Sequence, residues 1–255
     1  MMRRETERYV VPAEGPEAEP IPRAYTMLDE ECAHFGANAI VLVPGKDTLT
    51  RRTVQQGLGR PVVASLLKGQ QVVLPGGGLA ALRTERTFRD SFTSDIILAI
   101  YPTQRMLGQI DEAKYATAII VVPWRMEDLR EWQRMWNPHV VGQPDGEPQQ
   151  LLDNAVVEEG LKRLTTMLGP ASLEMSSLDD RNLAKQLLWE LWRHDELYDP
   201  DAIRAWAMRH DWPPRYADQL REYAQHIKDG KHVRLGHRLW RDDIVDQLRR
   251  GAADS

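Results

Sequence analysis

Short apolar runs rich in β-branched residues recur through the first half of the chain: Ala39-Ile40-Val41-Leu42-Val43, Pro61-Val62-Val63-Ala64, Val72-Val73-Leu74, Ile96-Ile97-Leu98-Ala99-Ile100 and Ala118-Ile119-Ile120-Val121-Val122, with a weaker one at Val140-Val141. A strand with one wet face alternates apolar and polar residues. A run that is apolar at every position suits a strand buried on both faces, as in a parallel sheet layered between helices. Segments with helical spacing lie between these runs. Asp47 or Thr48 opens one through Leu58, with Gly57 and Gly59 marking its end. Thr103 to Ala113 carries Met106, Leu107 and Ile110 on one face, and Met126 to Trp136 carries Leu129, Trp132 and Trp136 likewise. The alternation predicts an α/β fold with a mainly parallel, doubly wound (Rossmann-like) sheet.

After the polar stretch Gln143 to Gln150, with its two prolines and a glycine, the β-branched runs stop. Helical spacing takes over: Ala155 to Leu168, a strong helix opened by Asp179 or Asp180, another from Asp199-Pro200-Asp201, a fourth from Arg215 to Lys228 and a last one from Trp240 or Asp242 to about Arg250. The expected organisation is an extended, proline- and glutamate-rich tail over 1–22, an α/β domain over 23–142, a linker over 143–150 and an all-α helical domain over 151–255.

Composition narrows the function classes. A formal charge of -5 and a pI near 5.8 argue against a uniformly basic nucleic-acid coat, while leaving room for a local patch. Cys32 is the only cysteine, so the chain forms no internal disulfide and no thiolate-rich metal site. No apolar run approaches the roughly 20 residues of a membrane-spanning helix, and a cytoplasmic location is the expectation. His226, His232 and His237 lack a metal-ligand spacing, so no metal is expected, and no cofactor is indicated.

Proline follows four of the runs, at Pro44, Pro75, Pro102 and Pro123. Proline ends strands cleanly because it lacks the amide donor. If the four strands run in parallel, these turns also gather on one edge, where open α/β sheets bind ligands. That edge would bring together Lys46, the amides of Gly76, Gly77 and Gly78, Thr103, Gln104, Trp124 and Arg125, a pocket for a nucleotide or phosphorylated small molecule. Asp47 and Thr103 are the candidates there for proton transfer. The glycines match neither a P-loop nor a dinucleotide fingerprint, since Ile40 and Ala81 stand where each pattern needs glycine.

The second candidate is basic. Lys228, Lys231, Arg234, Arg238 and Arg241 face only Asp229 across residues 226–241, with Trp240 available to stack on a base. The helix before it mixes acids with its cations, which a DNA-recognition helix usually avoids. Eight tryptophans supply core anchors and candidate interface anchors. The favoured expectation is a binding protein that docks a macromolecular, most simply protein, partner. A nucleotide- or phosphometabolite-binding enzyme or sensor is the alternative, and nucleic-acid binding through the basic segment the third.

Overall fold

The computed structural model describes residues 6–17, 19–89, 95–113, 115–144, 150–169, 175 and 177–253. The chain divides into two compact units, Met1–Glu147 and Pro148–Ser255. Residues 145–149 of the expected linker lie outside the described residues.

The first unit is α/β. Its strands are β1 (Glu7–Val10), β2 (Ala39–Val43), β3 (Val72–Val73), β4 (Leu79–Thr84), β5 (Ile96–Ile100), β6 (Ala118–Val122) and β7 (His139–Val140). Among the described residues they form one sheet in the order β3-β4-β2-β5-β6-β1-β7. Every pairing is parallel except that of β3 with β4. Each residue of β2, β5 and β6 is buried, as continuous apolar runs require.

The pleat sends alternate side chains to opposite faces. Val41, Leu98 and Ile120 point into a core shared with Ile21, Leu28, Leu49, Val54 and Leu66. These come from α1 (Pro20–Phe35), α2 (Lys46–Thr50), α3 (Arg52–Leu58) and α4 (Arg60–Leu67). Leu42, Ala99 and Val121 point the other way, into a core with Met106, Leu107, Ile110, Leu129 and Trp132. Those belong to α5 (Gln104–Asp111), a 3-10 turn at Met126–Leu129 and α6 (Arg130–Trp136). Helices therefore cover both faces, and the sheet is doubly wound.

Three local expectations are corrected. The 1–22 tail contains β1, which lies inside the sheet between β6 and β7, and Pro20 already begins α1. Val10 and Val11 are buried, and this short apolar stretch suffices because the neighbouring strands supply the pairing. The run at Pro61 to Ala64 is not a strand but lies in α4, where Gly59 (φ 87) turns the chain, Pro61 suits the first turn and Val63 and Leu66 face the core at helical spacing. Gly57 does not end a helix but sits within α3, against Ile21 of α1.

The second unit is all-helical among the described residues: α7 (Ala155–Leu168), α8 (Leu178–Arg193), α9 (Pro200–Arg209), α10 (Pro214–Lys228) and α11 (Ile244–Ala253). Asn154 caps α7 by accepting hydrogen bonds from the amides of Val156 and Val157, and Asp199 precedes Pro200 at the first turn of α9 as expected. α8 is opened by Ser177 rather than by Asp179 or Asp180, which lie in its first turn, where Asp180 completes a capping box with Ser177. Among the described residues, no helix is long and apolar enough to cross a membrane.

Candidate functional site

Parallel pairing of β2, β5 and β6 sends Pro44, Pro102 and Pro123 to one rim, the carboxyl edge. Lys46, Thr103 and Arg125 follow these prolines and share that edge. Pro75 and the Gly76 to Gly78 loop do not. They join β3 to β4 in a hairpin, and Ala80 of β4 pairs with Ala39 at the amino end of β2. The glycines thus lie on the opposite rim and lead into a strand, not a helix. Their geometry is explained by packing. The Gly76 amide donates to Asp29 Oδ1 at 2.7 Å, and a Cβ on Gly78 would stand 2.9 Å from the Ala37 carbonyl oxygen and 3.0 Å from Cys32 Cβ. An anion pocket built from Gly76, Gly77 and Gly78 together with Lys46 is therefore not formed. Cys32 in that contact is buried, and burial pushes its thiol up to about 11.

At the carboxyl edge the side chains fall into two neighbourhoods. In one, the Thr103 hydroxyl donates to Glu85 Oε2 at 2.6 Å and accepts from the Met106 amide, capping α5. Arg105 lies 3.6 Å from the same glutamate, and the Gln109 amide donates to the Glu85 carbonyl. Glu85 follows directly on β4, so the loop after that strand and the start of α5 are tied together.

The other neighbourhood surrounds Tyr101. This residue follows β5 with φ 53, in the left-handed region that side chains other than glycine rarely adopt, and is 6% exposed. Its ring meets Trp124 edge-on at 5.1 Å between centroids, and the Arg51 guanidinium lies 5.4 Å from the Trp124 ring centre. The Tyr101 hydroxyl is buried and has no partner in hydrogen-bonding geometry among the described residues, although Thr53 stands beside it. Burial raises its pKa and the Glu17 charge adds to the rise, while Thr53 and the Arg51 charge oppose it.

Residues from the expected tail complete this rim. Glu14 bridges to Arg125 by main-chain pairing, and the Gly15 amide donates to the Trp124 carbonyl at 2.7 Å. The Arg125 guanidinium pairs with Glu127 at 3.2 Å. Lys46 is exposed and has no ion-pair partner among the described residues. Arg51, Tyr101 and Glu85 were absent from the sequence candidates. Tyr101 and Glu85 occupy the positions immediately after β5 and β4, a signal readable only once the strand ends are known. Segments 11–17, 44–53, 85–89, 101–109 and 123–130 carry no histidine, and Thr103 is already committed to two hydrogen bonds.

The basic segment of the helical unit is largely self-neutralised. Lys231 pairs with Asp229 at 3.0 Å, Arg241 with Asp243 at 3.2 Å, and Arg238 with Asp242 at 2.6 Å and Glu190 at 3.4 Å. Lys228 and Arg234 are exposed without ion pairs among the described residues. Trp240 is not free to stack on a base, because it is 6% exposed and its indole N–H donates to the Leu183 carbonyl at 2.8 Å. Among the described residues, no group of three or more metal-ligating side chains assembles.

Residues 153–249, within the helical unit, match the model of a family described as a domain of unknown function (DUF1889). No curated protein and no solved structure matches the chain.

Proposed function

We propose that the α/β unit binds a small anionic ligand, of the nucleotide or phosphorylated-metabolite class, at its carboxyl edge between β2 and β5. After β2 the chain leaves through α2 to α4 on one face towards β4, and after β5 it leaves through α5 on the other face towards β6. Adjacent strands whose connections diverge in this way leave a crevice between their ends, which is where open α/β sheets bind ligands. The single observation that supports the reading most is Tyr101, a buried residue with left-handed backbone at that point. Such strain costs on the order of 1–3 kcal/mol and persists where the surroundings impose it, most often at functional sites. Lys46 and Arg51 are the cations that would face the anion.

Binding is expected to raise the melting temperature by roughly 5–10 °C at a hundredfold excess of ligand over its Kd. A thermal-shift series with inorganic phosphate and purine nucleotides checks this. The shift should vanish in Lys46→Ala and Arg51→Ala. A wild-type protein that responds to none of them, or a shift that both variants retain, would end the proposal. Docking of a macromolecular partner is a second reading, favoured by the exposure of Met167, Leu178 and Leu197 in the helical unit, with Leu178 81% exposed.

A further inference from the structure

Arg181, Lys185, Trp189 and Arg193 follow one another along α8 at intervals of four residues and so form one row on its surface. None of them is among the buried residues of that helix. The polar side chains on its inner side, Asn182, Gln186 and Glu190, are instead buried and bonded to residues 236–239. α10 packs against α8 and brings Tyr223 to the row, where its ring centre lies 4.7 Å from Lys185 Nζ. Burial raises the Tyr223 hydroxyl above its ordinary value, and the Arg181 charge opposes the rise while Glu222 adds to it, so Arg181 stands near the same ring. Farther along the row, the Arg193 guanidinium lies 5.1 Å from the Trp189 ring centre.

Carboxylates cancel most of the cations between residues 228 and 241, but here the partners are rings. The face of an aromatic ring attracts a cation and leaves its charge intact. Lys185 has no ion-pair partner among the described residues, and Arg193 is paired only loosely, at 3.8 Å from Glu190, a carboxylate shared with His194 and Arg238. The rings are uncommitted as well. Trp212 and Trp240 donate their indole N–H groups to partners inside the unit, as buried tryptophans usually do. Among the described residues the Trp189 indole N–H and the Tyr223 hydroxyl have no hydrogen-bond partner and are not enclosed. The row therefore presents three cations and two aromatic rings, each with part of its side chain open to solvent.

We propose that this face of α8 and α10 binds single-stranded nucleic acid, with Arg181, Lys185 and Arg193 contacting phosphates while unpaired bases stack on Trp189 and Tyr223. Positions four apart advance about 6 Å along a helix, the scale on which phosphates repeat along an extended strand. Cations interleaved with aromatic rings bind such strands with little regard to sequence, since every base has a flat face. An acidic polypeptide would satisfy the cations but leave the rings without a counterpart. A duplex keeps its bases stacked within itself and offers the rings nothing either. The surface lies within the matched region 153–249 and belongs to the helical unit alone, so it does not rest on the ligand proposed for the α/β unit.

Fluorescence anisotropy of a short fluorescein-labelled oligothymidine with the full-length chain tests this. Binding is expected at low salt, with log K falling against log salt at a slope of about −2 for three phosphate contacts. Trp189→Ala should weaken it about tenfold, and Trp189→Phe should recover most of the loss because it keeps a ring for stacking. Lys185→Gln/Arg193→Gln should weaken it about tenfold or more and bring the slope to about −1. Circular dichroism establishes that each variant is folded, and Trp189→Leu replaces Trp189→Ala if that chain is not. A wild-type chain that binds no oligothymidine at low salt overturns the proposal. Binding that either the alanine or the double glutamine variant retains at full strength does so too. Equal or tighter binding of labelled polyglutamate or of duplex DNA also overturns it, because charge alone would then account for the face.

Discussion

Replacing Trp212 with alanine is expected to destabilise the helical unit by about 4 kcal/mol. The indole is 2% exposed, in the turn that joins α9 to α10, and its N–H donates to Thr165 Oγ1 of α7 at 3.0 Å. One side chain thus ties the start of α10 to a helix far from it in sequence. Truncation removes a large buried surface and leaves a void that three helices would have to close together. Trp212→Phe separates the two contributions. It keeps most of the volume and loses the hydrogen bond, at about 1 kcal/mol, since Thr165 still donates to the Leu161 carbonyl. Hydrogen exchange in urea reads the change within the helical unit alone. A loss below about 1 kcal/mol for the alanine variant would mean that the turn is not a packing centre.

The second large effect concerns Gly57. In an ordinary exposed helix, glycine to alanine gains about 1 kcal/mol. Here the sign is expected to reverse, because a Cβ at Gly57 would stand 2.5 Å from both Cβ and Cγ2 of Ile21 and 3.1 Å from Cδ of Pro22. Neither neighbour can swing away: one is a β-branched side chain in a fully buried position, the other a proline ring. α1 and α3 must separate, and separating them opens the core beneath. Gly57→Ala should therefore destabilise the α/β unit by about 2 kcal/mol, and Gly57→Val by about 3 kcal/mol. Chemical denaturation followed by hydrogen exchange in the strands measures it. A stabilised alanine variant would show that the two helices are not in close contact.

Both substitutions show where the sequence speaks and where it is silent. β2, β5 and β6 are legible because strands buried on both faces need an apolar residue at every position. α7 is legible to the residue through its apolar spacing, while its Asn154 cap emerges only in the structure. β1 was hidden because Glu7-Arg8-Tyr9 reads as polar, and its burial comes from neighbours more than a hundred residues away. β4, Leu79-Ala80-Ala81-Leu82-Arg83-Thr84, lacks the β-branched signal for the same reason: pairing, not propensity, makes it a strand. Pro61 to Ala64 is apolar in either conformation, and so short a run does not separate helix from strand.

The candidate site divides along similar lines. That strand-ending prolines cluster at a rim follows from parallel pairing, and Pro44, Pro102 and Pro123 obey it. Pro75 does not, because the direction of β3 is a tertiary property with no local signature. The left-handed backbone of Tyr101 and the divergence of the connections after β2 and β5 likewise exist only in three dimensions. Asn182, Gln186 and Glu190 lie on the buried face of a helix whose apolar stripe was evident, but what a buried amide bonds to is not encoded nearby.

Placement of β1 has a consequence for how the chain is made. Glu7 to Val10 pairs with Ala118 to Val121 and takes β7 on its other side, so this strand, made before both of its partners, waits for them before it has a hydrogen-bonding neighbour in the sheet. In the interval β2, β4 and β5 can assemble without it, while the growing edge of β6 stays open until β1 arrives. Insertion of that strand is then a late, long-range event in biogenesis, the kind that slows folding and leaves nascent chains in the care of chaperones.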